Sequence, residues 1–269
     1  MYDYHVHSLF SEDSRMEVEE GIQRAIALGI KEIVFTDHAE FNVWRPGVGI
    51  VDDMFDARQY IDTLNHLKER YKNQICIKIG VEIGLQREEK ERIEEFVCAY
   101  PFDFVIGSSH TIDRYDLYLG NLYQNATKEE AYGRYFKEIL EIVKTIEHYN
   151  VYGHLDLVRR YAYDKYEDIG INGEELEWIG EILKEIIYRG KGIEVNTSGF
   201  RYGLGSLNPD IDVLKLYKKL GGEIITVGSD AHRKEDIGYK IQETYQLLKD
   251  IGYSYITIFD KMQPKFVKI

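Results

Sequence analysis

The chain has 269 residues, of which 44% are hydrophobic and 30% charged, and 47 acidic against 34 basic side chains give a formal net charge of −13. This balance, without a cluster of Lys and Arg, argues against a nucleic-acid partner, because phosphate-backbone binding needs a basic surface. The first residues lack a basic stretch followed by an apolar core, and no run approaches the about 18 apolar residues of a membrane span. We therefore expect a cytoplasmic protein with no membrane partner.

Short runs of β-branched and aromatic residues alternate with amphipathic segments along the whole chain. The runs predict strands, and the 3.6-residue periodicity of the other segments predicts helices. In chain order the predicted elements are strand 2–6, helix 17–29, strand 32–36, helix 52–72, strand 75–83, helix 87–99, strand 103–107, helix 127–149, strand 151–154, helix 173–190, strand 192–196, helix 209–221, strand 224–228, helix 236–251 and strand 254–259.

Seven or eight such β-α units without a long linker predict an α/β fold in a single domain, residues 1–269. We expect a closed or nearly closed parallel barrel. A doubly wound open sheet is the alternative, but the first strand is followed by His5-Val6-His7 and not by the glycine-rich loop of nucleotide-binding sheets.

Several residues mark the ends of predicted helices. Thr127 with Glu130 predicts a capping box, and Asn208-Pro209 predicts an N-cap followed by a first-turn proline. Glycines at 29, 190 and 221 are typical of helix ends.

Cys76 and Cys98 lie in apolar stretches without a CxxC spacing, so we interpret both as reduced packing residues.

Histidines are concentrated at the carboxyl ends of the predicted strands. His66 and His148 fall in predicted helices and receive no role, whereas the other six lie at or just after the end of a predicted strand: His5, His7, His38, His110, His154 and His232. In a parallel barrel the carboxyl ends of all strands open onto one face, where barrel active sites are built. We therefore expect these six imidazoles to converge.

Carboxylates occur at the same strand ends. Glu82 follows one strand, and Asp230 lies two residues before His232. Asp37 precedes His38 and is interpreted either as a helix N-cap or as a hydrogen-bond partner that orients an imidazole. Imidazole and carboxylate together, without cysteine, are typical ligands of zinc, manganese or iron.

The sequence resembles the polymerase-and-histidinol-phosphatase (PHP) family of metal-dependent phosphoesterases in the order of these motifs from His5 to His232. Within the family it is most similar to the histidinol-phosphate phosphatases, in the longer segments HSLFSEDS (7–14), GHLDLVR (153–159) and EVNTSG (194–199). The resemblance implies a distorted (β/α)7 TIM-like barrel, up to three divalent transition-metal ions, and hydrolysis of a small-molecule phosphate monoester in histidine biosynthesis.

The resemblance also implies a ligand set. His5, His7, Glu82 and Asp230 would hold a first ion, and Glu82 would bridge to a second ion held by His110 and His154. Asp13, His38 and His232 would hold a third. Some relatives have histidine where this chain has Asp13, and a carboxylate oxygen is a harder metal ligand than an imidazole nitrogen. Asp13 can also be interpreted as the N-cap of the next helix.

The implied reaction is attack by a metal-bridging hydroxide on phosphorus, with Asp230 and His232 among the catalytic residues. Three divalent ions and three ligand carboxylates leave a local charge of about +3, which suits a phosphate dianion. Arg159 and Arg201 follow strand-end motifs and are predicted phosphate clamps, and Arg160 is an alternative to Arg159. No GxSxG motif indicates a nucleophilic serine.

Other activities share the implied ligand set. A PHP-type protein-tyrosine phosphatase or another small-molecule phosphomonoesterase is the main alternative, since only the clamp and the pocket wall would differ. A polymerase-associated exonuclease is disfavoured because the chain has no basic duplex-binding surface. A metal-dependent binding module without catalysis is the alternative outside the enzymes.

Overall fold

A computed structural model describes all residues, 1–269. The strands and α-helices are, in chain order, β1 (Tyr2–Val6), α1 (Val18–Ala27), β2 (Glu32–Phe35), β3 (His38–Arg45), β4 (Gly49–Met54), α2 (Ala57–Tyr71), β5 (Cys76–Gly84), α3 (Lys90–Ala99), β6 (Phe104–Ser108), β7 (Thr111–Ile112), β8 (Tyr115–Asp116), α4 (Lys128–Thr145), β9 (Val151–Tyr152), α5 (Gly173–Tyr188), β10 (Gly192–Asn196), α6 (Ile211–Lys219), β11 (Ile225–Gly228), α7 (Ile241–Ile251), β12 (Tyr255–Asp260) and β13 (Gln263–Lys268).

Seven parallel strands form the centre of the molecule. They pair in the order β1, β2, β5, β6, β9, β10 and β11. Between β11 and β1 there is no continuous ladder. Instead, the Asp230 amide donates to the His5 carbonyl (2.8 Å), the His7 amide donates to the Ala231 carbonyl (2.9 Å), and Val6 forms a parallel bridge with Ala231. The predicted α/β fold with a mainly parallel, distorted seven-strand arrangement is confirmed.

The buried face of each element explains why these segments fold as they do. The central strands are buried along nearly their whole length, as expected for parallel strands covered by helices on the outside. The helices bury one apolar stripe each against this sheet, and 62 buried residues form one continuous core. Thr127 caps α4 in the predicted capping box. The cap of α6 is Asp210 and not Asn208, so that helix begins two residues later than predicted.

A hairpin that was not predicted lies between β2 and α2. Residues 52–54 form the end of β4 and not the start of a helix, because α2 begins at Ala57 with Asp56 as its N-cap. The preceding strand β3 pairs antiparallel with β4 and runs parallel to β5, with His38 directly beside Glu82. The hairpin thereby extends the sheet at the carboxyl end of the barrel.

The last predicted strand is not part of the barrel. β12 pairs antiparallel with β13 in a separate two-stranded sheet. Its Phe259 packs beside Phe104, and the Phe259 amide donates to the Tyr4 hydroxyl (2.8 Å). Tyr4, Phe104 and Phe259 belong to one small buried cluster. The hairpin of β12 and β13 therefore covers the end of the barrel opposite the histidines.

Two further expectations concern the surface. Cys76 and Cys98 are both unpaired, as predicted, but both are exposed, so their interpretation as buried packing residues is wrong. Cys76 is the first residue of β5 and Cys98 lies in the last turn of α3, where the apolar neighbours in sequence face inward. None of the seven helices combines the length and the apolar character that crossing a membrane requires.

Candidate metal centre

A cavity of about 550 Å³ opens at the carboxyl ends of the barrel strands. Seven of the nine predicted metal ligands line it: Asp13, His38, Glu82, His110, His154, Asp230 and His232. The other two, His5 and His7, are fully buried beside them. The structure thus brings together all nine side chains that the sequence placed at strand ends or in the adjoining loop.

His5 lies in β1 and His7 follows its last residue, and the two side chains project to the same side, as residues two apart on an extended chain do. Their Nε2 atoms lie 3.0 Å apart. Oε2 of Glu82 lies 3.1 Å from the first Nε2 and 3.4 Å from the second. Oδ1 of Asp230 lies 3.8 and 3.5 Å from the same two atoms. These four side chains therefore surround one point.

The second carboxylate oxygen of Glu82 faces a different pair of histidines. Its Oε1 lies 2.8 Å from Nε2 of His154 and 3.3 Å from Nε2 of His110, and these two nitrogens are 3.4 Å apart. The Ser108 hydroxyl donates to the same oxygen (2.6 Å) and fixes the carboxylate. Glu82 thus lies between two groups of nitrogen ligands, with one oxygen toward each.

Asp13, His38 and His232 form the open edge of the cluster. Oδ2 of Asp13 lies 3.0 Å from Nε2 of His232 and 3.6 Å from Nε2 of His38. The Asp13 side chain is 58% exposed, whereas both imidazoles are 20% exposed. Asp13 does not cap a helix, because α1 begins at Val18 after Glu17.

Acceptors behind the imidazoles set their orientation. Nδ1 of His5 donates to Oε1 of Glu194 (2.6 Å), and Nδ1 of His110 donates to Oε1 of Glu40 (2.5 Å). Nδ1 of His7 lies 3.1 Å from the Ser11 hydroxyl. With the proton on Nδ1, each ring presents the lone pair of Nε2 to the centre of the cluster.

Asp37 helps to orient the His7 imidazole through the hydroxyl of Ser11. Its carboxylate accepts from the Ser11 hydroxyl (2.7 Å), which in turn accepts from His7, and it also accepts from the Ser8 amide and hydroxyl. Asp37 caps no helix. Of the two interpretations of this residue, the structure supports the partner that helps to orient an imidazole.

Glu194, Glu40 and Ser11 were not predicted. Glu194 had a recognisable signal, since it is a carboxylate in the middle of the buried strand β10. Gly228 on the neighbouring strand makes room for it, because a Cβ there would collide with the Glu194 carboxylate and with Cβ of His5. Glu40 lies on the hairpin that was not predicted, so no sequence signal placed it near His110.

The chemistry of these atoms fits divalent metal ions. Two Nε2 lone pairs that face each other at 3.0 Å repel unless a cation lies between them. Ligand atoms about 2.1 Å from one tetrahedral ion are about 3.4 Å apart, close to the 2.8–3.8 Å spacings around the two faces of Glu82. Burial would raise the pKa of Glu82, but positive charge on His5, His110 and His38 holds it well below its usual range, and bound cations would supply that charge where the rings are neutral ligands. The carboxylate is therefore available as an anionic ligand.

Of the predicted phosphate clamps, only Arg160 lines the cavity. Its guanidinium packs over the Tyr202 ring at 4.1 Å and donates through Nη2 to the Ser198 hydroxyl (2.6 Å). The same nitrogen lies 3.2 Å from Oδ2 of Asp230. The side chain is 10% exposed, and its Nε has no hydrogen-bond partner. Arg160 therefore keeps a free donor in a buried position.

Arg159 and Arg201 lie elsewhere. Arg159 turns away from the cavity and pairs with Asp156 (2.9 Å) and Asp210 (3.3 Å). Arg201 donates from Nη1 to the Ser229 carbonyl (2.8 Å) and from Nη2 to the Asp230 carbonyl (2.7 Å). The structure thus places Arg159 in a buried ion pair, and it places Arg201 behind the loop that carries Asp230.

Comparisons with known proteins give consistent results. A family model described as PHP domain matches residues 3–198. The histidinol-phosphatase of Lactococcus lactis subsp. lactis (strain IL1403) is 36% identical over 97% of this chain and 95% of its own. A crystal structure of the histidinol phosphate phosphatase of that organism, complexed with zinc, L-histidinol and phosphate, has a TM-score of 0.88 at 35% identity, with 98% of each chain covered. A probable histidinol-phosphatase of Thermotoga maritima is 30% identical over 97% of either chain.

Proposed function

Because the chain belongs to the PHP domain family, we propose that it is a metal-dependent histidinol-phosphatase, which converts L-histidinol phosphate and water to L-histidinol and phosphate in histidine biosynthesis. The observation that carries this proposal is the cavity in which two sets of facing imidazole nitrogens flank Glu82 beside the free donor of Arg160. The Lactococcus lactis relative, whose structure holds zinc, L-histidinol and phosphate, supports the substrate.

The residues present would hold three divalent ions. His5, His7, Asp230 and one oxygen of Glu82 would hold the first, and the other oxygen of Glu82 with His110 and His154 the second. Asp13, His38 and His232 would hold the third. Zinc, manganese and iron all suit imidazole and carboxylate ligands. When bound, such ions lower the pKa of water and offset the negative charge of the phosphoryl oxygens.

The protein side chains position the phosphate and the ligands. Arg160 would bind phosphoryl oxygens, because its charge is buried and its Nε lacks a partner. Ser198 and Asp230 hold its Nη2 and so fix the direction of the guanidinium plane. We assign Arg201 to positioning, since its two carbonyl contacts hold the Ser229-Asp230 loop, where Asp230 has a φ of +55°.

The proposal is tested by steady-state kinetics with and without a chelator. We expect L-histidinol phosphate to give a higher kcat/KM than a phosphotyrosine peptide or a nucleoside monophosphate, and chelation to abolish turnover. Arg160→Ala should lower kcat/KM by about 30- to 1000-fold, corresponding to about 2–4 kcal/mol of transition-state stabilisation, with metal content unchanged. Arg134→Ala, which removes an exposed arginine of α4, is the matched control.

The outcomes separate the alternatives. A phosphotyrosine peptide that is preferred by tenfold or more would identify a protein-tyrosine phosphatase. Tight binding of phosphate without turnover of any monoester, in the metal-loaded protein, would identify a binding module.

We also propose a cytoplasmic location and a small-molecule partner, in keeping with the two unpaired cysteines and with the size of the cavity.

A further inference from the structure

The gap between β1 and β11 is bridged by a side chain as well as by the backbone. Backbone hydrogen bonds between the two segments begin at Asp230, which follows β11. Just before that point, the fully buried carboxylate of Asp3 in β1 accepts from the Ser229 amide (2.9 Å) and from the Ser229 hydroxyl (2.7 Å). It also accepts from the Gly238 amide (2.8 Å), in the turn before α7. Asp3 therefore joins three separate segments.

The contacts of Asp3 indicate a role in positioning and not in binding a ligand. Asp3 does not line the cavity, and both of its oxygens accept hydrogen bonds from the protein. The hydroxyl of Ser229 and the two amides are donors in a buried region, where an amide without an acceptor is costly. Asp3 thus fixes the position of Ser229, the residue next to the proposed metal ligand Asp230.

The peptide between Ser229 and Asp230 is held from two directions. Arg201 donates to the carbonyls of both residues, whereas Asp3 accepts from the amide and the hydroxyl of Ser229. Asp230 has a φ of +55°, a conformation that is uncommon for residues other than glycine and persists where the surrounding contacts determine it. The direction of the Asp230 side chain therefore depends on Asp3 as well as on Arg201.

This direction matters because Asp230 has to meet two imidazoles from another strand. Its Oδ1 lies 3.8 Å from Nε2 of His5 and 3.5 Å from Nε2 of His7. Asp3 and His5 both lie in β1, and His7 directly follows its end. Asp3 thus connects the segment that carries the two nitrogen ligands to the segment that carries the carboxylate. Metal ligands have to be held within about 0.5 Å of their working geometry.

We propose that Asp3 is a positioning residue of the metal centre, which holds Asp230 in register with His5 and His7 so that the three side chains form one site for the first ion. This inference rests on the proposed function and adds a residue that touches neither an ion nor the substrate. The first ion should depend on Asp3 more than the second does, because the histidines that follow β6 and β9 have no contact with Asp3.

The variant Asp3→Asn tests the proposal. One carboxylate oxygen becomes an NH2 group, which cannot accept, so the amide of either Ser229 or Gly238 loses its acceptor. We expect the affinity for one class of zinc ion to fall by about 10- to 100-fold in chelator competition, and that for the other classes to change by less than about threefold. The visible absorption spectrum of the cobalt-loaded protein should change as well, because Asp230 no longer meets the ion in the same position.

The variant Ser229→Ala is a milder test of the same contact. It removes the hydroxyl and keeps the amide that donates to Asp3, so the same affinity should fall by about 2- to 10-fold. If Asp3→Asn does not fold, Ser229→Ala decides the question. In Asp3→Asn/Ser229→Ala the two losses should be less than additive, because both changes act on one contact.

Two reference variants make the result specific. Asp230→Asn identifies the ion class that Asp230 holds, and Asp3→Asn should add little in that background. Asp103→Asn is the matched control, since this buried carboxylate accepts from the amides of Ile79 (3.1 Å) and Lys261 (3.3 Å) at the opposite end of the barrel. We expect Asp103→Asn to lower the urea midpoint, as Asp3→Asn does, and to change zinc affinity by less than about twofold.

The outcomes distinguish this inference from the proposed function. Equal losses for all ion classes in Asp3→Asn, or the same loss in Asp103→Asn, would overturn the inference, since a general loosening of the barrel would then explain the effect. Unchanged zinc affinity in Asp3→Asn and Ser229→Ala would overturn it too. If the wild type binds zinc but does not hydrolyse L-histidinol phosphate, the proposed function fails, and a selective loss in Asp3→Asn still supports the positioning role.

Discussion

Replacing Gly84 by alanine tests whether the buried carboxylate of Glu40 holds His110 in place. Gly84 ends β5, directly below the Glu40 side chain. A Cβ at this position would lie 2.7 Å from Oε1 of Glu40 and closer still to its Oε2 and carboxyl carbon. Packed atoms do not approach so closely, so the carboxylate must move by on the order of 1 Å.

A displacement of this size would weaken the hydrogen bond between Glu40 and His110. Oε1 of Glu40 accepts from Nδ1 of His110 at 2.5 Å, and a shift on the order of 1 Å would lengthen this distance to the outer limit for a hydrogen bond. Loss of a carboxylate that orients a ligating imidazole lowers metal affinity by about 10- to 100-fold. We expect a loss in this range for the ion bound by His110, and an unfolding free energy lowered by about 1–3 kcal/mol.

The assay is a chelator competition followed by elemental analysis. In Gly84→Ala one class of ion should be lost at a lower chelator concentration than in the wild type. Gly133→Ala is the control, because a Cβ at this α4 position meets no atom within 4 Å and alanine stabilises a helix by up to about 1 kcal/mol.

A double-mutant cycle identifies the route of the effect. Glu40→Gln should lower the same affinity, and Gly84→Ala in that background should add little, because both changes act on one hydrogen bond. Wild-type metal retention in Gly84→Ala would refute the reasoning. Fully additive losses would show that Gly84 acts on the cluster without Glu40.

Three further predictions concern the ligand cluster, a buried ion pair and a thiol. Glu82→Gln should lose more than one metal equivalent in elemental analysis, because its two oxygens face two groups of nitrogens, and full occupancy would contradict the bridging arrangement. Arg159→Ala should lower the unfolding free energy in urea by about 3 kcal/mol, since Asp156 is left buried without its cation, and an unchanged midpoint would show that the pair is dispensable. Although the Cys76 residue is exposed overall, partial burial of its thiol and the nearby Glu32 raise the pKa of that thiol to about 12. In Cys98→Ser, folded protein should therefore react with a disulfide reagent at pH 8 at least about 100-fold more slowly than unfolded protein, and the folded rate should rise with pH. Equal rates would disprove the shift.

The convergence of the histidines was predictable because it follows from two regular features of parallel β-strands. His5 and His7 share a face through the two-residue repeat of a strand, and parallel strands bring their carboxyl ends to one side of the barrel. His110 and His154 follow β6 and β9 in the same way. Such positions are set by local structure, which the sequence pattern carries directly.

The arginine roles were not predictable, because the partner of a guanidinium depends on contacts distant in sequence. Arg159 and Arg160 are adjacent, yet one binds Asp156 and Asp210 and the other lines the cavity. Asp210 lies about fifty residues further along the chain, and no periodicity brings it to Arg159. The positions of Arg159 and Arg160 in the sequence therefore do not show which of the two side chains faces the cavity.

The β3–β4 hairpin was missed for a different reason. Its strands are interrupted by polar residues, and the apolar positions at the end of β4 continue into those of α2, so the sequence pattern predicts one helix over 52–72. Pro46-Gly47 is a turn signal that separates the two strands. Recognising that turn would have predicted a hairpin, but not that Glu40 reaches His110.

The cluster of Tyr4, Phe104 and Phe259 has a consequence for synthesis on the ribosome. Tyr4 is synthesised 255 residues before Phe259, whose amide donates to the Tyr4 hydroxyl. At about 5–20 residues per second this interval is about 10 to 50 s. During that time the Tyr4 hydroxyl lacks this donor and Phe104 lacks the Phe259 ring that packs beside it, so this end of the barrel is completed only after β12 has been synthesised.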